Sequence, residues 1–292
     1  MAPERLPSPP KRCGPADPSW LTQFYDAYPR IEEEFHVALG ESLNPRGPEL
    51  LYEVVSGFGL PSGSVAVDVG CGDGKHSLEL AGRFRFSVTG IDPVPRHEEL
   101  ANARLAAFDA LHPEVGRLVR FRLGVAEALP FEDRSVDLVW CRDVLLHVAE
   151  PNKAYAEFQR VLREGGHVLV YQMFGTDRLE PREADWLWKT MGVVPTSAER
   201  DRTDAAIAAA GLRVEDRIDL GPEWGERAEE ETGSSSNRLL YAARLLRDPQ
   251  RYIAQFGQAA YDIMLGDCLW HVYAMIGKLD RRVYLLSRGG SD

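Results

Sequence analysis

The sequence has few cysteines and no long apolar run. Its cysteines lie far apart without a C-x-x-C pair, at Cys13, Cys71, Cys141 and Cys268. This spacing predicts neither a zinc cage nor a disulfide framework, and it fits a reducing, cytoplasmic environment. No segment reaches the roughly 18 consecutive apolar residues that span a bilayer. We therefore expect no metal centre and no membrane partner.

The sequence also lacks an excess of positive charge. It carries 45 acidic and 34 basic residues, a formal net charge of −11. A chain of this charge has no overall attraction to nucleic-acid phosphates or anionic lipid, so we expect no nucleic-acid partner. What the 292 residues do have is a globular composition, 44% hydrophobic and 27% charged, which suits one large domain or two small ones.

The N-terminal part differs from the rest. Prolines are dense in the first fifteen residues, which predicts disorder over residues 1–19. Apolar residues then recur at helical intervals from Trp20 to Gly40, with a break expected at Pro29, and a second helix is expected between Pro48 and Gly59. We interpret residues 20–48 as a helical lid before a main domain over residues 49–292.

The main domain alternates short β-branched runs with helical segments. Predicted strands are Ser64–Val69, Phe86–Asp92, Val119–Leu123, Val136–Cys141, His167–Phe174, Leu212–Leu220 and Arg281–Ser287, and predicted helices are Lys75–Phe84, Pro95–Leu111, Asn152–Leu162 and Ser197–Ala210. This alternation predicts an α/β, Rossmann-like fold, a parallel sheet with helices on both faces. Two segments without strands, residues 175–198 and 221–279, are expected to be inserted into this fold.

The sharpest local signal is VDVGCGDG, a strand that runs into alternate glycines and then a helix. Glycines allow a tight turn and close approach of a ligand, and the following helix offers free N–H groups. The spacing is G-x-G-x-G, not the G-x-G-x-x-G of dinucleotide sites, and Asp68 would oppose a pyrophosphate. A ligand with an ammonium group fits better. The alternative is a purely structural turn.

Two further signals follow the next strands. Asp92 ends the second strand, 22 positions after Gly70, where a carboxylate can accept both hydroxyls of a ribose. Its alternative role is a turn or helix-cap aspartate before Pro93. After the third strand stands the segment GVAEALPF, residues 124–131.

These segments, with VTGID, DRSVDLVWCRDVLLHV and LREGGHVLV in this order, resemble the class I S-adenosylmethionine-dependent methyltransferases, especially their small-molecule branch. The resemblance covers about residues 49–175. It implies a seven-stranded sheet whose last strand, Arg281–Ser287, is antiparallel, and S-adenosylmethionine as cofactor. It assigns Asp68, Gly70 and Gly72 to the methionine part, Asp92 to the ribose, and Ala126 and Glu127 to the adenine. One departure is Val125, where many relatives have an Asp that receives the adenine amino group.

The resemblance also places candidates around the methyl acceptor. His147 follows the fourth strand and is our candidate general base, since histidine titrates near neutral pH; its alternative is a capping or packing role. Arg142 would hydrogen-bond the cofactor carboxylate or an acidic acceptor, or form a salt bridge with Asp143. Methyl transfer from a sulfonium needs no metal.

Aromatic residues outside the shared motifs predict the acceptor pocket. Tyr25 is expected to cover the cofactor, and the candidates for acceptor binding are Tyr28, His36, Trp186, Trp224 and Trp270. Core packing is the alternative for each. Acidic runs at residues 32–34 and 223–231 would receive a cationic amine or an N–H group, or form solvated helix faces, and they disfavour a free diphosphate without Mg²⁺.

The sequence therefore predicts methyl transfer to a small aromatic or apolar metabolite, at O, N or an electron-rich carbon such as that of an indole, in specialised-metabolite biosynthesis. Two alternatives stay open. One is a nicotinamide-dependent oxidoreductase, disfavoured by the glycine spacing and the lack of a Tyr-x-x-x-Lys pair. The other is a non-catalytic or cyclase-type protein that keeps the cofactor pocket. The sequence leaves the oligomeric state open, and a homodimer is one option.

Overall fold

The computed structural model describes residues 18–289, which fall into two compact units that divide after Asn44. Of the segment expected to be disordered, residues 1–17 lie outside the described part, and Pro18 already belongs to a helix. That helix, α1 (Pro18–Gly40), is the regular element of the first unit.

The break expected at Pro29 is wrong, because α1 continues through it. Proline removes one helical hydrogen bond and crowds the carbonyl four residues earlier, at a cost of about 3 kcal/mol in a helix interior. Contacts on both sides favour the helix. Before Pro29, the ring of Phe24 lies 5.4 Å from the rings of Tyr25 and Tyr28, and after it Arg30 pairs with Glu34 at 3.9 Å.

The second unit contains the sheet. Its strands are β1 (Val65–Val69), β2 (Ser87–Asp92), β3 (Val119–Leu123), β4 (Val136–Arg142), β5 (Leu162–Gly175), β6 (Leu212–Asp219) and β7 (Leu279–Arg288). Its helices are α2 (Leu50–Gly57), α3 (Lys75–Phe84), α4 (Pro95–Asp109), α5 (Pro113–Gly116), α6 (Pro151–Val161), α7 (Pro181–Met191), α8 (Arg200–Ala209), α9 (Glu223–Thr232), α10 (Ser234–Arg247), α11 (Pro249–Phe256) and α12 (Gln258–Met275). Short 3₁₀ turns lie at Leu145–His147 and Pro195–Ala198.

The strand order is β3-β2-β1-β4-β5-β7-β6, with β7 antiparallel to both of its neighbours. The strands β1 to β5 pair in parallel. This confirms the α/β, Rossmann-like, seven-stranded sheet with an antiparallel last strand. In such open sheets the carboxyl ends of the parallel strands form the edge where ligands bind.

Two elements differ from the prediction. Strand β5 begins at Leu162 rather than His167, because Leu162 already pairs with Val136 before an irregularity in the register. The helix expected from Ser197 begins only at Arg200, since Glu199 is extended (φ −99°, ψ 126°). Ser197 is buried and its hydroxyl donates to the carbonyl of Val148 at 2.8 Å, which holds the preceding turn in place.

Each face of the sheet has its own apolar core. On one face α6 and α8 pack against the odd positions of β1, with Phe158 and Ile207 almost fully buried. On the other face α2, α3 and α4 pack against Leu138 and Trp140 of β4. Burial of large side chains on both faces explains why the strands are nearly continuous apolar runs.

The two predicted insertions are helical. Residues 175–198 contain α7, and residues 221–279 contain α9 to α12. Leu187 and Trp188 of α7 pack with Met173 of β5 and Ala274 of α12 in a third cluster. The insertions therefore stand at the carboxyl end of β5. Among residues 18–289, no helix is both long and apolar enough to cross a membrane.

Candidate active site

The loop between β1 and α3 is built from glycines in a left-handed backbone conformation. The φ values of Gly70 and Gly72 are +72° and +54°. A Cβ on Gly70 would lie 2.0 Å from a methyl group of Val144, so only glycine allows the loop to approach the end of β4 this closely. A Cβ on Gly72 would meet no atom within 4 Å, which leaves clear space beside the loop.

Asp68 lies directly before this loop and is buried, 2% exposed. The hydroxyl of Ser77 donates to its Oδ2 at 2.6 Å. Burial raises the pKa of the Asp68 carboxyl to about 7, although the Ser77 hydrogen bond and the charge of Arg142 oppose the rise. A carboxylate that is costly to ionise is stabilised by a cation, so Asp68 suits an ammonium group.

Asp92, at the end of β2, takes part in the glycine loop. Its Oδ2 accepts from the backbone N–H of Gly72 at 2.9 Å, and its Oδ1 accepts from Val94 N–H at 2.9 Å and contacts His97 Nδ1 at 3.0 Å. A carboxylate offers about four acceptor positions, and these contacts use three. Both roles expected for Asp92 are thus compatible, with one position left for a ribose hydroxyl and a second if His97 moves away.

The segment after β3 forms a tight turn in which Ala128 N–H donates to the carbonyl of Val125 at 3.3 Å. Ala126 is buried, Val125 is exposed and Glu127 is half-buried. Within the described chain, the Glu127 carboxylate has no hydrogen-bond partner. It therefore has free acceptor capacity for an adenine amino group, and its role there stays a prediction.

A hydrogen-bonded chain that the sequence did not reveal joins α2, α3 and β4. Tyr52 Oη lies 2.7 Å from His76 Nδ1, and Arg142 contacts His76 Nε2. Burial and the charge of Arg142 lower the pKa of His76 to about 4, so the ring is neutral. Because a guanidinium only donates, Nε2 is the acceptor and Nδ1–H donates to Tyr52. In the sequence, this hydrogen-bonded chain is indicated only by the position of His76, two residues after Gly74.

Arg142 lies between this chain and the aromatic rings of Tyr171 and Trp224. Its guanidinium carbon is 5.6 Å and 5.3 Å from their ring centres. The two rings stack on each other at 4.4 Å and are nearly parallel, at 4°. The salt bridge expected between Arg142 and Asp143 is long, 3.9 Å.

A cavity of about 310 Å³ opens beside Arg142, at the carboxyl ends of β4 and β5. Its walls are Pro48, Arg142, Asp143, Tyr171, Met173, Trp224, Gly225, Ala228, Ser234, Ser235, Arg238, Trp270, His271 and Arg281. Three residues predicted from the sequence, Arg142, Trp224 and Trp270, thus come together. This is the size of cleft that holds a small molecule.

Other predicted residues do not line this cavity. Trp186, on α7, packs instead against buried residues of α10 and α12. Tyr25, Tyr28 and His36 belong to the first unit, so their roles over the cofactor and acceptor stay predictions.

His147 also lies outside the cavity walls. It is exposed, and its Nδ1 contacts the carbonyl of Gly192 at 2.8 Å. Its role as a base stays a prediction.

Asp143 was missed as an acid–base candidate. It has a positive φ of +58°, rare for a residue with a side chain, and its Oδ1 is buried with no hydrogen-bond partner in the described chain. Burial raises the pKa of Asp143 to about 6, against the pull of Arg142 and Arg281. Its place directly after Arg142 in the sequence was the signal that could have found it.

The fold and this site together define a class of protein. A seven-stranded sheet with an antiparallel β7, a glycine loop after β1 and an acid at the end of β2 are features of the Rossmann-like methyltransferases. In agreement, residues 67–170 match the family model of the methyltransferase domain.

Individual proteins are also similar to this chain. A phosphoethanolamine N-methyltransferase 2 of Caenorhabditis elegans is 30% identical over 135 residues, 46% of this chain and 29% of that protein. A 27-O-demethylrifamycin SV methyltransferase of Amycolatopsis mediterranei is 29% identical over 188 residues, 62% of this chain and 67% of that protein. The solved structure of the 4+2 cyclase SpnF has a TM-score of 0.63 at 23% identity, covering 83% of this chain and 82% of that one.

Residues 67–170 are therefore similar to the methyltransferase domain, and this match supports S-adenosylmethionine as the methyl donor. The chain spans less than a third of the length of the nematode relative. The residues present fit the donor. Asp68 offers a buried negative charge for its ammonium, Asp92 has an acceptor position for its ribose, and the surface beside Gly72 is open.

Replacing Asp92 should weaken cofactor binding. Asp92→Asn removes the charge that strengthens a ribose hydrogen bond, so we expect about tenfold weaker binding of S-adenosylhomocysteine in titration calorimetry. Asp92→Ala should bind S-adenosylhomocysteine still more weakly, since the N–H groups of Gly72 and Val94 also lose their acceptor. The control is Asp73→Asn in the same loop, half-exposed and paired with Arg104; it should stay within about twofold. Unchanged affinity of Asp92→Ala would remove Asp92 from the site.

The raised pKa of Asp68 predicts a pH-dependent cofactor affinity. Only the ionised carboxylate pairs with the ammonium, so affinity for S-adenosylhomocysteine should fall below pH 7, by at most about tenfold per pH unit. Asp68→Asn should bind more weakly at pH 8 and show a flat profile between pH 6 and 8. Asp201→Asn, on α8, is the control. If the affinity of wild type and of Asp68→Asn changed with pH to the same extent, this role of Asp68 would be contradicted.

Proposed function

We propose that this protein transfers a methyl group from S-adenosylmethionine to a small molecule held in the cavity beside Arg142. The observation that carries the proposal is the cavity's place: it opens at the ends of β4 and β5, one strand away from the glycine loop that follows β1. When bound, the donor supplies an electrophilic methyl group on a sulfonium sulfur. The chain's own task is then to align an acceptor atom and exclude water, which supplies about 7–11 kcal/mol of barrier lowering.

The walls of the cavity favour an acceptor with an aromatic or apolar body. Tyr171 and Trp224 form a stacked pair, and Trp270 is held by a hydrogen bond from its Nε1 to the sulfur of Met173 at 2.8 Å. Rigid aromatic walls bind flat apolar groups with little loss of conformational entropy. This chemistry supports a specialised metabolite as the acceptor, methylated on O, N or an electron-rich carbon.

A nucleophile that must lose a proton needs a base, and the chain offers two candidates. Asp143 lines the cavity, its Oδ1 is buried without a hydrogen-bond partner in the described chain, and burial raises its pKa to about 6. His147 stands one turn further along, outside the walls, with Nδ1 engaged by Gly192. Because a base must reach the proton it removes, we propose Asp143 as the general base and keep His147 as the alternative.

Two other functions remain to be tested against this one. A nicotinamide-dependent oxidoreductase would need a pyrophosphate beside the buried carboxylate of Asp68, which is electrostatically unfavourable. A protein that retains the cofactor without transferring methyl groups would share the whole donor site. SpnF, whose fold is similar, is a 4+2 cyclase.

The proposed activity predicts a labelled product. The purified protein, supplied with methyl-labelled S-adenosylmethionine and a panel of phenols, indoles and aryl amines, should yield a product with one added methyl group. Asp68→Asn should lower this yield in step with its cofactor affinity, which excludes a contaminating enzyme. Cofactor binding without any methylated product would support the non-catalytic alternative, and binding of NAD rather than S-adenosylhomocysteine would support the oxidoreductase.

The choice of base predicts different effects of two variants. With an O–H or N–H acceptor, Asp143→Asn should lower kcat by about 10²–10⁴-fold and abolish the acid limb of the pH–rate profile near pH 6. His147→Ala should lower kcat less. Both variants should bind S-adenosylhomocysteine within about threefold of wild type. A larger effect of His147→Ala, with the acid limb intact in Asp143→Asn, would make His147 the base.

A further inference from the structure

We propose that the acceptor carries an anionic group, a carboxylate or a phosphate ester, and that Arg281 binds it at the end of the cavity remote from the glycine loop. This inference rests on the proposed function, because it names a chemical feature of the acceptor. It reverses the expectation from the acidic runs of the sequence, which suggested a cationic or N–H-bearing acceptor.

Arg281 is a buried charge that forms no ion pair among the described residues. It lies on β7, is 5% exposed, and lines the cavity. One guanidinium nitrogen donates to the carbonyl of Gly221 at 3.1 Å. Among residues 18–289, no carboxylate lies within salt-bridge distance of it. The charge of Asp143 acts on Arg281 only from beyond ion-pair distance, so the buried guanidinium is incompletely compensated and a bound anion would stabilise it.

The cavity as a whole has an excess of positive charge. Arg142, Arg238 and Arg281 are its cationic walls, and Asp143 is its acidic one. Arg238 is neutralised by an ion pair with Asp267. Burial lowers the pKa of His271, so this wall residue is uncharged at neutral pH. Counting Asp267, the partner of Arg238, three guanidinium groups thus stand against two carboxylates, those of Asp143 and Asp267. Arg281 is the arginine without an ion-pair partner in the described chain.

The start of α10 also lines the cavity. The hydroxyls of Ser234 and Ser235 already donate to the carbonyls of Ala228 and Gly225, so what this first helical turn offers an anion is its backbone N–H groups and the positive end of the helix dipole. The indole N–H of Trp224 is buried and has no partner in the described chain. The next amide, Ser236 N–H, is already used by Glu229 at 2.7 Å.

The glutamates of α9 do not cancel this charge. Glu223 is bound to Arg46, and Glu231 pairs with Arg227 at 2.8 Å. No glutamate lines the cavity. These two glutamates are therefore engaged in ion pairs with arginines that do not line the cavity.

The sheet order separates this anion site from the cofactor. Strands β4 and β5 stand between β1, which carries the glycine loop, and β7, which carries Arg281. Three strand spacings of about 4.8 Å place Arg281 roughly 14 Å from β1. Arg142 on β4 is adjacent to β1 and can reach the cofactor's carboxylate, whereas Arg281 on β7 lies two strands beyond Arg142. An anion at Arg281 thus belongs to the acceptor.

The test uses three matched probes with the protein saturated by S-adenosylhomocysteine: 4-fluorobenzoate, 4-fluorophenyl phosphate and the neutral 4-fluorobenzamide. Their dissociation constants are measured by fluorine NMR. We expect at least one anion to bind tenfold or more tightly than the amide, and the better anion identifies the acceptor group as carboxylate or phosphate. Arg281→Gln should reduce this preference to within about twofold, and Arg281→Lys should keep part of it.

The control is Arg96→Gln, an exposed arginine on α4 that pairs with Glu99 outside the cavity; it should keep the full preference. Each variant's binding of S-adenosylhomocysteine checks its fold. Three results would overturn the inference, provided that S-adenosylhomocysteine still binds. They are equal binding of the amide and the anions by wild type, no anion binding at millimolar concentration, and an unchanged preference in Arg281→Gln. Loss of cofactor binding in wild type would instead overturn the proposed function.

Discussion

The contact between Arg142 and His76 joins the two halves of the active site. Arg142 ends β4, and His76 stands at the start of α3, directly behind the glycine loop. The same guanidinium lies against Tyr171 and Trp224 on its other side. Because His76 is neutral and anchored to Tyr52, it can only accept from Arg142, so the arginine is fixed in one orientation. The donor loop and the acceptor cavity are thereby held in a fixed relation.

Local signals in the sequence predicted the part of this arrangement that is local in the chain. β-branched runs with glycine turns predicted the strands, and the G-x-G-x-G loop and Asp92 are the predicted donor site. Trp224 and Trp270 were predicted at the acceptor, and Arg142 at the cofactor carboxylate or an acidic acceptor. Trp186 and Trp224 were both predicted at the acceptor, yet of the two only Trp224 lines the cavity, because Trp186 packs among the helices around α7.

The residues that sequence reasoning missed depend on contacts between distant segments. Tyr52 and His76 meet through the packing of α2 on α3, and Arg281 reaches the cavity because β7 inserts between β5 and β6. Nor does the net charge of −11 indicate the charge of the cavity. Acidic residues are distributed over helix surfaces, where Arg46 and Arg227 pair with them, while arginines occupy the interior walls.

Burial gives the two halves of the site opposite responses to acid. Asp68 and Asp143 are both easier to protonate than exposed aspartates, since burial raises their pKa to about 7 and about 6. In the proposed donor site, protonation of Asp68 would remove the counter-charge of the donor's ammonium and weaken donor binding. Protonation of Asp143 removes a negative charge that acts on Arg142 and Arg281, which leaves the acceptor half more positive. An anionic acceptor would therefore bind more tightly under the conditions in which the donor binds more weakly. Productive binding of both then requires a pH high enough to ionise Asp68, and in that range Asp143 is also ionised and able to accept a proton.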